Sequence, residues 1–433
     1  METRSVTVAI IGAGNVGAAL IAMLRDESRF AALHEAVGGS LHIAGVGVRD
    51  ASKTRSGVPS ELLTTDIMGL INREDVDIVV ELAGGVDDAG VFVEHALRAG
   101  KSVVSANKAL IAARGTELEA IARSNNVDLI FEAAVGGGIP ILRALRTSLV
   151  GEKIHRVMGI VNGTTNFILS AMTADGADYA DVLAEAQRLG YAEADPTADV
   201  EGFDAAAKVT ILAAFSFGVP LEGSAIAREG ISSISADDVA FATRHGYVIK
   251  LIGVAERIGE AGISMRVHPA MLPTSHPLAS INGAFNAVFV EGAKAGPLML
   301  MGRGAGGDPT ASAVLGDILE AARNRNLGRR SATPDVESSL HMVPTSELQS
   351  TFYLTIDVLD KPGVLAAVTS VFGEHGVSIR LMEQSGFGDE ARLTFVTHHA
   401  LEADMAATIE DLAQVDVVDA VGACIRIVGE NNE

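Results

Sequence analysis

The spacing of apolar positions in the first third of the chain predicts strands that alternate with helices. An apolar run rich in β-branched residues, 6–11, ends at Gly12, and apolar residues then recur at helical spacing through Val16, Leu20 and Leu24. Similar strand-like runs follow, separated by helical stretches, at 41–48, 77–82, 102–105 and 127–131. This alternation is typical of a doubly wound parallel sheet, which we predict for residues 1–140.

The pattern changes after Pro140. A helical stretch at 141–149 leads to a strand-like run at 157–161 and then to alanine-rich helices. Between 247 and 290, strand-like runs alternate with loops rich in Pro, Ser and Asn, which favours a mixed sheet with helices on one face. We therefore predict an α+β domain over 141–310, followed by a helix at 311–325 that returns to the first domain.

The tail of the chain has its own pattern. Residues 326–349 are polar and lack an apolar period, which predicts a linker. Beyond them, the apolar spacing predicts strand, helix, strand, strand, helix and strand in that order. This βαββαβ order is a complete small α+β module, and we assign residues 350–433 to it.

Composition and charge narrow the class of protein. The chain has 433 residues, 48% of them apolar and 20% charged, which suits a folded enzyme. Its formal net charge of −22 opposes binding to nucleic acid or to anionic membranes, so we expect neither partner. The single cysteine, Cys424, forms no internal disulfide, and no signal sequence opens the chain. We expect a cytoplasmic protein.

A glycine motif follows the first predicted strand. It matches G-x-G-x-x-G, in which glycines let backbone amides approach a pyrophosphate at a helix N-terminus. Its position between a strand and a helix favours dinucleotide binding over a merely tight turn. The residues concerned are Gly12, Ala13, Gly14, Asn15, Val16 and Gly17.

The end of the second predicted strand bears on the choice of cofactor. NAD sites usually place a carboxylate there, but this strand ends at Arg49. A guanidinium at this point, helped by Lys53, attracts the 2′-phosphate of NADP. Neighbouring Asp50 argues for NAD, and Arg49 as an ordinary solvated loop charge is the simpler alternative.

A third motif combines carboxylates with a lysine. Four carboxylates lie between 193 and 201, and Asp204 and Lys208 then share one face of an otherwise apolar helix. A surface ion pair is the common fate of such spacing. A charged face on a buried helix, however, must line a cleft, where a lysine can deliver a proton or stabilise an oxyanion.

The chain resembles the homoserine dehydrogenase family over about residues 6–325, in five segments. They are GYAEADPTADVEGFDAAAK at 190–208, SANK at 105–108, GGGIP at 136–140, NGTTNFIL at 162–169 and GRGAGGDPT at 302–310. The tail, with DKPGVL at 360–365, resembles an ACT regulatory domain. Because no kinase segment precedes Val6, the resemblance is to the monofunctional form.

The resemblance implies a Rossmann-type nucleotide domain, a catalytic and dimerisation domain, and NAD(P)H-dependent reduction of L-aspartate 4-semialdehyde to L-homoserine in threonine, methionine and isoleucine biosynthesis. Lys208 would donate the proton, with Asp204 beside it and Lys108 assisting at the nicotinamide end. Substrate contacts would come from Glu193, which takes the ammonium group, and from Gly163, Thr164 and Asp199. Gly84, Lys108 and Gly304 would join the cofactor site.

The family also implies a bound cation and regulation. A monovalent cation, usually sodium, would be held by Glu132 and the carbonyls of Val135, Gly137 and Ile139, a segment that sequence alone predicts only as a tight turn. L-threonine is the expected effector at the ACT domain, although a tail that only stabilises the oligomer is an alternative. A homodimer or homotetramer is expected.

Three other functions are weighed against this one. Phosphorylating oxidation of the same semialdehyde needs a cysteine nucleophile, and Cys424 lies in the last predicted strand. A 2-hydroxy-acid dehydrogenase needs an Arg/Glu/His constellation, which is not evident. A catalytically inactive amino-acid sensor that uses the ACT domain remains the alternative.

Overall fold

The computed structural model describes residues 5–221, 226–331, 339–387 and 390–429. The chain forms two compact units. The first unit comprises the described parts of 1–157, 210–225 and 286–338, and the second comprises those of 158–209, 226–285 and 339–433.

Strands and helices are numbered in chain order. The strands are β1 (Val6–Ile11), β2 (Leu41–Gly47), β3 (Leu63–Thr64), β4 (Ile78–Glu81), β5 (Ser102–Ser105), β6 (Leu129–Ile130), β7 (Ile154–Ile160), β8 (Ala227–Arg228), β9 (Tyr247–Ile258), β10 (Gly262–Pro273), β11 (Phe285–Gly292), β12 (Gly296–Arg303), β13 (His341–Met342), β14 (Gln349–Leu359), β15 (Ile379–Phe387), β16 (Glu390–Thr397), β17 (Ala400–Leu401) and β18 (Val418–Ile427). The helices are α1 (Asn15–Leu24), α2 (Phe30–Val37), α3 (Ile67–Ile71), α4 (Asp87–Arg98), α5 (Lys108–Ser124), α6 (Ile141–Arg143), α7 (Gly163–Asp175), α8 (Tyr179–Arg188), α9 (Thr197–Val200), α10 (Phe203–Phe217), α11 (Ala236–Arg244), α12 (Gly307–Asn326), α13 (Val364–Glu374) and α14 (Glu402–Leu412).

The first unit is built on a six-stranded parallel sheet in the order β3-β2-β1-β4-β5-β6. Ile10 of β1 lies opposite Val46 on one side and Val80 on the other. This is the strand order of a Rossmann sheet, with its crevice at the carboxyl end of β1. The predicted doubly wound fold is confirmed.

Helix α12 packs onto this sheet although it lies far along the chain. Its residues Ala311, Val314 and Ile318 share a buried cluster with Ile10 of β1 and Leu20 of α1. Burial of these apolar side chains stabilises the first unit by roughly 1.5–3 kcal/mol for each large one. The segment 286–331 is therefore part of the first unit, although the second unit separates it from the first 157 residues along the chain.

The second unit contains a mixed sheet that joins the tail to the rest of the unit. Its strands follow the order β9-β10-β18-β14-β16-β15. β9 and β10 form a long antiparallel hairpin, and β10 pairs in parallel with β18 through Ala270↔Arg426 and Met271↔Ile427. Within the tail, α13 and α14 cover the sheet over a core that includes Phe352, Phe372 and Phe395. The tail has the predicted βαββαβ order.

Local predictions differ from the structure in several places. The two-residue strands β3, β8, β13 and β17 were not predicted, because two residues give no periodic signal. Of these, β13 lies within the predicted linker, and β17 is an addition between β16 and α14 in the tail. The helix predicted at 141–149 is α-helical only over Ile141–Arg143 and continues as a π-helical turn over Ala144–Ser148. Part of the predicted linker, 332–338, lies outside the described residues. No helix in the described ranges is long and apolar enough to cross a membrane.

Candidate active site

The glycine motif forms the turn between β1 and α1. Gly12 has φ +102°, and a Cβ on it would lie 2.7 Å from the backbone carbonyl carbon of Leu82. A Cβ on Gly17 would lie 2.4 Å from the carbonyl oxygen of Gly12. Gly14, the N-cap of α1, makes no side-chain capping bond, so backbone amides are available to an anion. The turn and the start of the helix contain all six predicted residues: Gly12, Ala13, Gly14, Asn15, Val16 and Gly17.

The loop after β2 carries the residues predicted to choose between NADP and NAD. Arg49 and Lys53 are both exposed there. The Oδ1 of Asp50 accepts hydrogen bonds from the Ser52 hydroxyl at 2.6 Å and the Ser52 amide at 2.9 Å, and these bonds lower the pKa of Asp50. The carboxylate that argued for NAD is thus engaged within its own loop.

A buried carboxylate, Glu81, organises the ends of β4 and β5. Its Oε1 accepts from the amides of Ala83 at 2.8 Å and Gly84 at 3.0 Å, and its Oε2 accepts from the Ser105 hydroxyl at 2.7 Å. Gly84 has φ +73°, which places it in the left-handed region that favours glycine. Glu81 therefore ties the loop that contains Gly84 to the end of β5, three residues before Lys108.

Lys108 begins helix α5 directly after the loop that follows β5. The preceding Asn107 caps this helix by accepting from the Leu110 amide at 3.1 Å, and its Nδ2 donates to the Gly85 carbonyl at 2.6 Å. Lys108 is half-buried. It lies at the carboxyl edge of the parallel sheet, the edge at which ligands bind in such folds.

The segment proposed to hold a cation forms a glycine-rich turn. Glu132 is 2% exposed, and its carboxylate accepts from the amides of Leu142 at 2.8 Å and Arg143 at 2.7 Å. Burial raises the pKa of Glu132, and Arg143 opposes that shift. A Cβ on Gly137 would lie 2.5 Å from the carbonyl oxygen of Gly304, so two predicted glycines pack against each other.

The carbonyls expected to join Glu132 belong to this same turn. The turn includes Val135, Gly137 and Ile139, and the Ile139 carbonyl also accepts from the Ile141 amide at 2.8 Å. Among the described residues, no group of three or more His, Cys, Asp or Glu side chains is placed to hold a metal. A cation here would therefore rely on one carboxylate and backbone carbonyls.

In the second unit, the predicted lysine and aspartate form a buried ion pair. Lys208 Nζ lies 2.6 Å from Asp204 Oδ2 and donates a second bond, also of 2.6 Å, to the Val161 carbonyl. Lys208 is 7% exposed and Asp204 is 8% exposed. The spacing therefore produces a buried pair here and not a surface one.

Asn162 connects this pair to the rest of the site. Its Nδ2 donates to Asp204 Oδ2 at 2.9 Å and to Asp199 Oδ1 at 2.6 Å. Its Oδ1 accepts from the Thr165 amide at 2.9 Å, which caps helix α7. One side chain thus fixes the start of α7 and orients both carboxylates.

The predicted substrate residues lie around this network. Gly163 is the first residue of α7, and the Thr164 hydroxyl donates to the Tyr191 carbonyl at 2.7 Å and lies 3.2 Å from Asp199 Oδ2. Glu193 is exposed in the same loop as Tyr191, and its carbonyl accepts from Gln187 at 3.1 Å. Thr164, Asp199, Asp204 and Lys208 are thus brought together, whereas the Glu193 carboxylate lies outside the network.

Comparisons with known proteins agree over the whole chain. The homoserine dehydrogenase NAD-binding domain matches residues 12–132, the homoserine dehydrogenase family matches 140–319, and the ACT domain matches 352–417. A homoserine dehydrogenase of Corynebacterium glutamicum is 51% identical over 98% of this chain and 96% of its own.

The chain belongs to the homoserine dehydrogenase family.

Solved structures of the family share the fold. The homoserine dehydrogenase of Thiobacillus denitrificans matches with a TM-score of 0.93 and 39% identity, covering 98% of both chains. A hyperthermophilic archaeal homoserine dehydrogenase in complex with NADPH matches with a TM-score of 0.63 and 29% identity, over 77% of this chain and 100% of its own. Members of the family are NAD(P)-dependent oxidoreductases, and the inactive-sensor alternative receives no support from these matches.

Two residues that organise the hydrogen bonds described above, one in each unit, were not singled out from the sequence. Glu81 ends an apolar strand before a Gly-Gly turn, and a carboxylate in that place was a usable signal for a buried loop anchor. Asn162 precedes Gly163 at a helix start, where Asn is a common N-cap. Its second role, as donor to both Asp199 and Asp204, depends on side chains 37 and 42 residues away.

Proposed function

We propose that the Asp204–Lys208 pair carries the proton-transfer step in the interconversion of L-aspartate 4-semialdehyde and L-homoserine. The supporting observation is the burial of both charges within one hydrogen-bonded network. Burying a charged pair costs several kcal/mol of desolvation for each ion, and buried charged groups with specific partners are candidates for functional sites. A lysine ammonium group carries three donors, and in this proposal Lys208 would donate to the substrate oxygen as it develops negative charge.

The residues around the pair each do a separate task in this proposal. Lys208 gives a proton to the carbonyl oxygen during reduction and takes it back during oxidation. Asp204 and the Val161 carbonyl hold the ammonium group in place. Asn162 keeps Asp204 oriented by donating to it. The bound nicotinamide cofactor supplies the hydride.

The amino-acid end of the substrate would be bound by the loop next to the pair. Exposed Glu193 would bind the ammonium group of the substrate. Gly163, Thr164 and Asp199 would contact the rest of its amino-acid end. A carboxylate attracts a cationic ammonium group. Binding at Glu193 would be equal in the ground state and the transition state, so it affects affinity more than rate.

The first unit would hold the cofactor, with NADP favoured over NAD. The uncapped amides at the start of α1 suit the pyrophosphate, and Arg49 with Lys53 suits the 2′-phosphate. Asp50 already accepts two hydrogen bonds from Ser52, which weakens the argument for NAD. Gly84, Lys108 and Gly304 would complete the cofactor site.

A monovalent cation such as sodium, which prefers hard oxygen ligands, would be held in the turn that follows β6 by Glu132 and the carbonyls of Val135, Gly137 and Ile139. Burial disfavours the charge of Glu132, nearby Arg143 offsets part of that cost, and a cation bound at the turn would offset more of it. When bound, the ion would fix the Gly136–Gly137 turn, where both glycines have positive φ.

The ACT domain would bind L-threonine, and this binding would lower the dehydrogenase activity of the chain. The reaction serves threonine, methionine and isoleucine biosynthesis. Its candidate binding point is the junction between β14 and α13, where Gly363 has φ +95° and caps α13 without a side-chain bond. The open amides there suit a carboxylate. A homodimer or homotetramer remains the expected assembly.

Nicotinamide absorbance tests the reaction and the cofactor in one assay. The full chain is mixed with L-homoserine and either NADP⁺ or NAD⁺, and formation of the reduced cofactor is followed. We expect turnover with both and higher kcat/KM with NADP⁺. No turnover with either cofactor would overturn the proposal.

A further inference from the structure

A cavity in the first unit is lined mainly by arginines. Its volume is about 510 Å³, and five guanidinium groups and one carboxylate contribute to its wall. These residues are Arg143, Arg146, Arg323, Arg329, Arg330 and Glu320. In a chain with a formal net charge of −22, this concentration of positive charge needs an explanation.

The cavity lies away from the glycine motif. Two other residues of its lining, Asn324 and Ser331, bond the Asp128 carboxylate at 2.9 Å and 2.6 Å. Asp128 directly precedes β6, so it marks the amino edge of the parallel sheet. The glycine motif follows the carboxyl end of β1 and hence lies at the opposite edge.

Internal ion pairs account for part of the positive charge. Glu320 lies 3.2 Å from Arg143 Nε and 2.6 Å from Arg146 Nη2, and its Oε1 accepts from the Ser331 hydroxyl. Arg143 also bonds Asp317 at 2.7 Å, and Arg330 pairs with Glu119. These contacts tie the segment 143–147 to α12.

Some N–H groups of the arginines in this cavity take no part in these ion pairs. Arg146 is 7% exposed, and its Nε is buried with no hydrogen-bond partner among the described residues. Arg323 and Arg329 are exposed. Within the described residues, Arg323 donates from Nε to the Ala36 carbonyl, and Arg329 donates from Nε to Asn324 Oδ1. A buried guanidinium nitrogen without a partner is unfavourable, and a bound acceptor would relieve that cost.

We propose that this cavity binds a small phosphate-type oxyanion, at a site separate from the nucleotide site. The guanidinium fork donates two parallel bonds to a phosphate, and several forks around one cavity match a group with three or more acceptor oxygens. The lining has five guanidinium groups and one carboxylate, and their net attraction grows with the negative charge of the ligand, so pyrophosphate and phosphate monoesters fit better than monocarboxylates.

Isothermal titration of the full chain with inorganic pyrophosphate tests this site. The titration is run with NADP⁺ at saturation, so that the nucleotide site is filled, and at constant ionic strength. We expect one binding event per chain. The double variant Arg323→Gln/Arg329→Gln changes only exposed side chains and should weaken the affinity at least tenfold.

A matched control separates this site from general charge effects. Arg98→Gln/Arg188→Gln removes the same charge from side chains that are 61% and 68% exposed elsewhere. It should bind pyrophosphate as the unaltered chain does. Equal weakening in both double variants, unchanged affinity in the cavity variant, or no binding by the unaltered chain would each overturn the proposal.

Discussion

Two ion pairs in this molecule have the same spacing and orientation on their helices but very different surroundings. On α10, Asp204 precedes Lys208 by four residues, and their side chains are 7% and 9% exposed. On α4, Glu94 precedes Arg98 by four residues, and their side chains are 28% and 61% exposed. The contacts are 2.6 Å and 2.9 Å, so geometry within the pair does not distinguish them.

The difference lies in the desolvation of the charges. An exposed pair at this spacing contributes about 0.3–0.5 kcal/mol. The buried pair depends on the Val161 carbonyl and Asn162 to offset the loss of water. Spacing along a helix therefore identifies both pairs, and burial with additional hydrogen bonds distinguishes Asp204–Lys208 from Glu94–Arg98.

The largest effect among the partner residues is expected at Asp204. Asp204→Asn keeps the shape of the side chain but removes the charge that holds Lys208. We expect kcat to fall about 10²-fold, the lower end of losses for a disturbed acid–base group. Glu94→Gln makes the same chemical change in the exposed pair and should leave kcat unaltered. Steady-state kinetics compare the two, and equal kcat in both variants would remove the distinction.

Glu193 tests whether an exposed carboxylate beside the buried pair binds substrate. Glu193→Ala should raise KM for homoserine roughly 10- to 100-fold with little change in kcat, because a bond to a charged group is worth about 1.5–3 kcal/mol. Asp195→Ala, which removes another exposed carboxylate of the loop, is the control. A loss confined to kcat at Glu193 would contradict a role in binding.

Arg49 is an exposed cation, and it tests whether a charged side chain outside the buried pair selects the cofactor. Arg49→Ala should lower the ratio of kcat/KM for NADP⁺ to that for NAD⁺ by about tenfold, through lost bonds to the 2′-phosphate. Arg29→Ala, at another exposed arginine of the first unit, should not change the ratio. If the ratio is unchanged in Arg49→Ala, another residue sets the preference.

The ACT domain gives the most indirect effect. Gly363→Ala introduces a side chain where φ is +95° and should raise the half-inhibiting threonine concentration about tenfold, a coupling change of about 1.4 kcal/mol. Gly373→Ala lies in the same helix with open space around it and an ordinary φ, so inhibition should persist. If the unaltered chain, Gly363→Ala and Gly373→Ala have the same half-inhibiting threonine concentration, this junction is not the threonine site.

The fold followed from the sequence wherever the hydrophobic pattern was long enough. β1 and β5 have their predicted bounds, because each is a continuous buried run that ends at a polar or glycine residue. The tail's order of elements was also predicted. The pairing of β10 with β18 was not, since it joins Ala270 to Arg426 and no local pattern records such a contact.

The site was predictable in its residue types and less so in its connections. Asp204 and Lys208 share a helix face by spacing alone, yet their burial depends on how the surrounding elements pack. Glu81 and Asn162 act through hydrogen bonds to residues more than 20 positions away. Propensity and periodicity report neighbours along the chain, so such long-range roles need the folded structure.

The most direct test measures turnover and cofactor affinity together for Lys208→Ala, beside Arg98→Ala. If the buried pair carries proton transfer, Lys208→Ala loses about 10²–10⁴ in kcat while its cofactor Kd stays near that of the unaltered chain. Arg98→Ala, the exposed counterpart, should keep both values. Full turnover in Lys208→Ala, or a parallel loss of cofactor binding, would contradict the account.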